Sequence, residues 1–225
     1  MIELNSGLQR GWQRVRRPLA TVAVCGMMAF SLQGCLGLVV GGAVMGTMAA
    51  TDRRTLGAQT EDKTIAVKSI GALSNLPKAN DSHINLASFN RKVLLTGEVP
   101  DAATKAAAQR EVAGMEGVLS VDNELEIGGV TSLTSRSNDT LITGKVKASF
   151  LDDRDVYANS IKVVTERGIV YLMGRVTNNE GTRAGAIAAG VAGVQKVVKV
   201  FDYITPEELS EMNAAPAATP APAGN

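Results

Sequence analysis

The chain repeats itself, and this constrains its fold more than any other feature. Val93-Leu94-Leu95-Thr96-Gly97-Glu98-Val99 reappears 77 residues later as Val170-Tyr171-Leu172-Met173-Gly174-Arg175-Val176. Ile84-Asn85-Leu86 matches Ile161-Lys162-Val163 at the same spacing, and Gly117-Val118-Leu119-Ser120-Val121 matches Gly193-Val194-Gln195-Lys196-Val197 at 76. Three matches in one order at nearly constant spacing mark a duplicated domain.

Each copy spells the same elements. In the first, Ile65, Val67, Ile70 and Leu73 recur at mostly helical spacing over residues 64–76, with Asp62 ahead of them as an N-cap. Residues 84–89 and 92–99 are rich in β-branched and apolar side chains and are divided by Asn90-Arg91, a hairpin turn. Residues 102–113 are alanine-rich and helical, Gly114 and Gly117 stop that helix, and residues 118–127 make a third strand. The second copy predicts helices at 140–151 and 179–192 and strands at 161–166, 169–176 and 194–204, with Arg167-Gly168 as the turn. The order is α-β-β-α-β twice, an α+β class in which helices cover one face of a three-stranded sheet. Each copy is small, so the two are expected to pack on one another. Residues 129–137, rich in Ser and Thr, read as a linker between domains at 62–128 and 138–205, and the Ala/Pro-rich residues 206–225 read as a disordered tail.

The N-terminus carries an address. Arg10, Arg14, Arg16 and Arg17 precede an uncharged run from Leu19 to Leu32, which ends in Leu32-Gln33-Gly34-Cys35. A basic start, an apolar stretch and a small-residue site make a secretory signal, and the final four residues look like a bacterial lipobox. Residues 1–34 would then be removed and Cys35 would carry a diacylglyceryl and an N-acyl lipid, with a Gly-rich neck over residues 35–61. Several acyl chains on one residue suffice for stable anchoring. The neutral run from Pro18 to Thr51 is also long enough to span a bilayer as an uncleaved anchor, although the glycines at 34, 37, 41, 42 and 46 weaken a continuous helix. Both readings place the globular part outside the cytoplasm.

Cleavage leaves 19 basic and 21 acidic residues, and the single tryptophan, Trp12, goes with the signal. A slightly acidic chain lacks the clustered positive charge that nucleic acid requires. Cys25 is lost and Cys35 acylated, so the mature chain offers no thiol for a disulfide, a metal or catalysis. His83, the only histidine, reads as a surface or capping side chain, and without a second His or a Cys nearby linear spacing assembles no metal set. Asp152-Asp153-Arg154-Asp155 reads as a solvated helix end, and residues 37–46 lack the Gly-Lys-Ser/Thr of a phosphate loop. There is no nucleophile with a base and no catalytic carboxylate pair. The expectation is a protein that is not an enzyme and has no cofactor beyond the lipid on Cys35.

The α-β-β-α-β unit, with V-x-L-x-G-x-V before its second helix and G-V-x-x-V before its last strand, resembles the BON domain. The lipobox, the glycine-rich neck, Thr51-Asp52-Arg53-Arg54-Thr55, Gly57-Ala58-Gln59-Thr60 and Ser137-Asn138-Asp139-Thr140 together resemble the dual BON-domain outer-membrane lipoprotein family of proteobacteria. That resemblance implies lipid anchoring at the periplasmic face of the outer membrane, which Leu36 after the cysteine also fits. It further implies contact with anionic, phosphatidylglycerol-like phospholipid through the first helix of the second domain, and support of envelope integrity and cell division.

That helix can be tested on its own residues. At about 100° per residue, Ile142, Val146 and Phe150 share one side, while Leu141, Lys145, Ala148 and Leu151 lie opposite with Lys147 flanking. An apolar tip beside lysines suits a shallow membrane contact. The same residues also fit a Leu141 packed on the first domain and a solvated lysine face. Family members often carry Trp where this chain has Leu141, and Trp favours the membrane interface more strongly. The second functional reading is a periplasmic adaptor whose BON domains bind an envelope-assembly or division protein, with the membrane only as tether.

Overall fold

The computed structural model describes residues 52–214, and Cys35 lies outside them. The first copy runs α1 (Leu56–Ser74), β1 (His83–Phe89), β2 (Lys92–Val99), α2 (Ala102–Ala113), β3 (Ser120–Asn123) and β4 (Glu126–Ile127). The second runs α3 (Leu133–Leu151), β5 (Ile161–Glu166), β6 (Ile169–Val176), α4 (Asn178–Ala189) and β7 (Lys196–Tyr203), and α5 (Pro206–Ala214) closes the described chain. In each copy the hairpin strands pair antiparallel, and the strand after the crossover helix joins the middle strand in parallel. The third strand of the first copy is split. β3 and β4 both pair with β2 in one continuing register, and Leu125 between them is buried in the core.

The period-2 geometry of the middle strands decides the layering. Val93, Leu95 and Val99 of β2 enter a core with Ile65 and Leu73 of α1 and Ala108 and Val112 of α2. Val170, Leu172 and Val176 of β6 do the same with Ile142, Val146 and Phe150 of α3 and Ala184 and Ala188 of α4. The alternate residues point the other way: Leu94 with Ala87 and Phe89 meets Tyr171, Met173 and Val200 in a third cluster. The two sheets therefore pack through their helix-free faces, with each helical layer outside, as expected for copies too small to stand alone.

Three boundaries differ from the sequence reading. α1 starts at Leu56, where the Thr55 hydroxyl accepts from the Ala58 amide, and α3 starts at Leu133, capped by Ser132. Residues 56–61 of the apparent neck and 133–137 of the apparent linker are thus helical, since Ser and Thr serve as caps as readily as linkers. Residues 206–214, expected to be disordered, form α5, with the Thr205 hydroxyl accepting from the Glu208 amide and the Glu208 carboxylate accepting from the Thr205 amide.

Asp62 is not a cap. It lies within α1, buried, and its carboxylate accepts from the amides of Asn90 (2.7 Å) and Arg91 (2.8 Å) and from the Ser88 hydroxyl (2.6 Å). Its counterpart 77 residues on, Asp139 of α3, accepts from the amides of Arg167 (2.9 Å) and Gly168 (2.8 Å). Both turns have positive φ at their two central residues, 51° and 66° in the first and 52° and 74° in the second. Such turns match the twist of hairpin strands, but they leave turn amides for a partner to satisfy. A helical aspartate supplies it in both copies. Val67 and Ile70, placed by spacing on the core side of α1, are instead 71% and 67% exposed, because Asp62, Ile65, Ser69 and Leu73 form the buried stripe.

Candidate membrane-contact surface

The buried stripe of α3, Asp139, Ile142, Val146 and Phe150, fixes which residues the helix turns outward. Leu141 is 63% and Leu151 71% exposed, and Lys145, Lys147 and Ala148 between them are exposed as well. Leu141 thus points away from the first domain. The earlier start of the helix adds Leu133, 78% exposed, to the same side as Leu151. Its placement in an apparent linker concealed it from the sequence reading.

Beyond the helix end the chain turns back through Tyr157, 60% exposed, which lines one shallow depression with Leu151. The Arg53 guanidinium sits 5.1 Å from the Tyr157 ring centre. Asp153, at the same end, is held by Arg183 at 2.7 Å, and that hydrogen bond keeps its carboxyl below the usual carboxylate range. A neighbouring cation therefore offsets part of the acidic run. Asp152 caps the helix through its backbone amide. The surface combines three exposed leucines, a tyrosine and two lysines on a helix whose opposite side is locked in the core.

Equivalent positions in the first copy are Thr64, Lys68, Ile70, Gly71 and Ser74, so the leucine pair at 141 and 151 belongs to the second copy alone. The first helix has its own exposed apolar residues, Leu56, Val67 and Ile70, in a different pattern.

At the junction of the copies, His83, Glu98 and Glu166 bring one ligand atom each within 4.8 Å of the others. Glu98 is fully buried, and burial raises the pKa of Glu166 even though Asn85 donates to its carboxylate. Linear spacing gave no hint of this group, because 68 residues of chain separate Glu98 from Glu166. On the far side of the junction Arg53 holds Glu180 at 2.6 Å. Burial opposes the Glu180 charge, but the hydrogen bonds from Arg53 and from the Thr177 amide outweigh it and lower its pKa.

The model of the BON domain matches residues 61–129 and again 138–205. The class is therefore a tandem BON-domain protein. The outer membrane lipoprotein DolP of Haemophilus influenzae is 37% identical over 83% of this chain and 97% of its own length. On that similarity the chain belongs to the DolP family of outer membrane lipoproteins. The 21 kDa hemolysin of Actinobacillus pleuropneumoniae is 33% identical over 68% of this chain and 79% of its own. The osmotically-inducible protein Y of Escherichia coli is 31% identical over 61% and 70%.

Proposed function

We propose that this protein, anchored by lipid on Cys35 at the periplasmic face of the outer membrane, binds anionic phospholipid through the outer face of α3 and so supports envelope integrity and division. The observation that carries the reading is the pair Leu141 and Leu151, 63% and 71% exposed, flanking Lys145, Lys147 and Ala148. Two exposed leucines gain by entering the headgroup boundary, and each lysine near an anionic surface adds about 1 kcal/mol. No helix among the described residues is long and apolar enough to cross a membrane, so this contact is one of surface insertion. The activity is binding, not turnover.

The test uses a fragment of residues 51–225, free of acyl chains, co-sedimented with phosphatidylglycerol or phosphatidylcholine vesicles at low and moderate salt. Binding to the anionic vesicles alone is expected. It should weaken with salt, fall at least tenfold in Leu141→Asp/Leu151→Asp, and fall less in Lys145→Glu/Lys147→Glu, with unchanged circular dichroism. Equal sedimentation of all variants would remove α3 from the membrane. Absence of binding would favour the adaptor reading, in which a division or assembly protein is the partner.

A further inference from the structure

The geometry points to a binding site for one divalent transition-metal cation of the zinc class, formed by His83, Glu98 and Glu166 and tying the two BON domains together. His83 and Glu98 belong to the first domain and Glu166 to the second, so the site exists only when the domains are docked.

Local structure assembles it. His83 and Glu98 are direct cross-strand partners of β1 and β2, and Glu166 is the last residue of β5. Gly97 makes the room: a Cβ there would lie 2.0 Å from the His83 carbonyl oxygen and 3.5 Å from Nδ1. The His83 Nδ1 stands 3.4 Å from Glu98 Oε2 and 3.9 Å from Glu166 Oε1. Nδ1 nevertheless makes no hydrogen bond, and the buried Glu98 Oε1 has none either. Buried polar atoms are nearly always satisfied, and a buried carboxylate demands a counter-charge. The nearest cation, Arg167, is 4.0 Å from Glu98 Oε1 and rests closer to Glu126, at 3.2 Å on the exposed rim. It cannot balance two carboxylates.

A zinc-class ion gives Nδ1 a partner and supplies the counter-charge that the two carboxylates demand. Its bonds to nitrogen and carboxylate oxygen, about 2.0–2.2 Å, set tetrahedral ligand–ligand edges of about 3.3–3.5 Å. The 3.4 Å edge already has that length, and the 3.9 Å edge needs a closure of roughly half an ångström. One imidazole with two carboxylates suits this class, whereas calcium and magnesium take oxygen donors in larger number. Two carboxylates neutralise the ion, and a water takes the fourth position. The outer hydrogen bonds are also present: Asn85 Nδ2 donates to Glu166 Oε2 at 2.7 Å, leaving Oε1 toward His83, and the Thr131 amide and hydroxyl both donate to Glu98 Oε2 at 3.3 Å. Such contacts orient ligands in metal sites.

The full chain, purified in detergent and stripped with chelator, is titrated with zinc by calorimetry at neutral pH and with cobalt by visible absorption. One ion per chain is expected, with a raised melting temperature and no displacement by excess magnesium. His83→Gln should weaken zinc at least tenfold. Asn85→Ala, which keeps all three ligands, should weaken it about tenfold with the fold intact, and this variant covers the case in which Glu98→Gln fails to fold. Absence of saturable zinc binding would overturn the proposal, as would equal binding by His83→Gln. A His83→Gln effect on the pH dependence of melting, without any effect of zinc, would assign the cluster to a shared proton and overturn it too.

Discussion

At the scale of single residues, this protein is governed by acids that have left the surface. Asp62, Glu98, Asp139, Glu166 and Glu180 are all buried, and each meets amides or charged groups from distant chain positions. Arg53 and Glu180 show the consequence for pH. The folded pKa of Glu180 lies below its ordinary value, so the stabilisation is complete above about pH 4.3 and is lost as the pH falls through the folded value. Glu180→Gln should therefore cost about 1–3 kcal/mol at neutral pH. In urea melts followed from pH 7 downward, the gap between this variant and the parent should narrow progressively once the pH falls below about 4. A gap that does not narrow at all across that acid range would mean the charge is not what matters. Such roles were not legible in sequence. Asp62 has the local spelling of an N-cap, and only the hairpin returning from residue 90 shows that it clamps a turn instead.

At the scale of elements, the repeated device is a helix that holds a hairpin by one carboxylate. The Asp139 carboxylate takes the amides of both central residues of the β5–β6 turn, and hydrogen bonds to a charged group contribute about 1.5–3 kcal/mol each. Asp139→Ala should destabilise the fold by about 2–4 kcal/mol, and Asp139→Asn, which keeps an acceptor oxygen, by less. Thermal melting checks the order, and a loss under 1 kcal/mol for Asp139→Ala would show that water replaces the clamp. The helix periodicity of α3 was readable because Ile142, Val146 and Phe150 recur at the helical period and all reach one sheet. On α1 the apolar period does not mark the inner face, and Val67 and Ile70 are exposed. Polar Asp62 and Ser69 occupy the buried stripe there.

At the scale of the whole molecule, the two copies share the layer built by Ala87, Phe89, Leu94, Tyr171, Met173 and Val200. Arg53, Lys92 and Lys162 add contacts across it, donating to Glu180, to the Phe201 carbonyl and to the Ser88 carbonyl. Lys162 is buried enough that desolvation lowers its pKa. The domains should therefore unfold together. Met173→Ala, at a fully buried position, should cost about 2–4 kcal/mol and lower amide-exchange protection in β2 as well as in β6. Loss of protection in β6 alone would mean that the domains fold independently.

What the sequence alone determined is what depends on neighbours along the chain: the duplication, the α-β-β-α-β order, both hairpin turns, and that Leu141, Lys145, Lys147, Ala148 and Leu151 lie on the side of α3 opposite Ile142, Val146 and Phe150. These follow from period and turn chemistry, which act over a few residues. Tertiary structure alone decided which way the alternate strand residues face a partner sheet, what the buried acids hold, and that His83, Glu98 and Glu166 meet. Those outcomes depend on the docking of two sheets, and a linear pattern does not encode which distant side chains that docking brings within hydrogen-bonding distance.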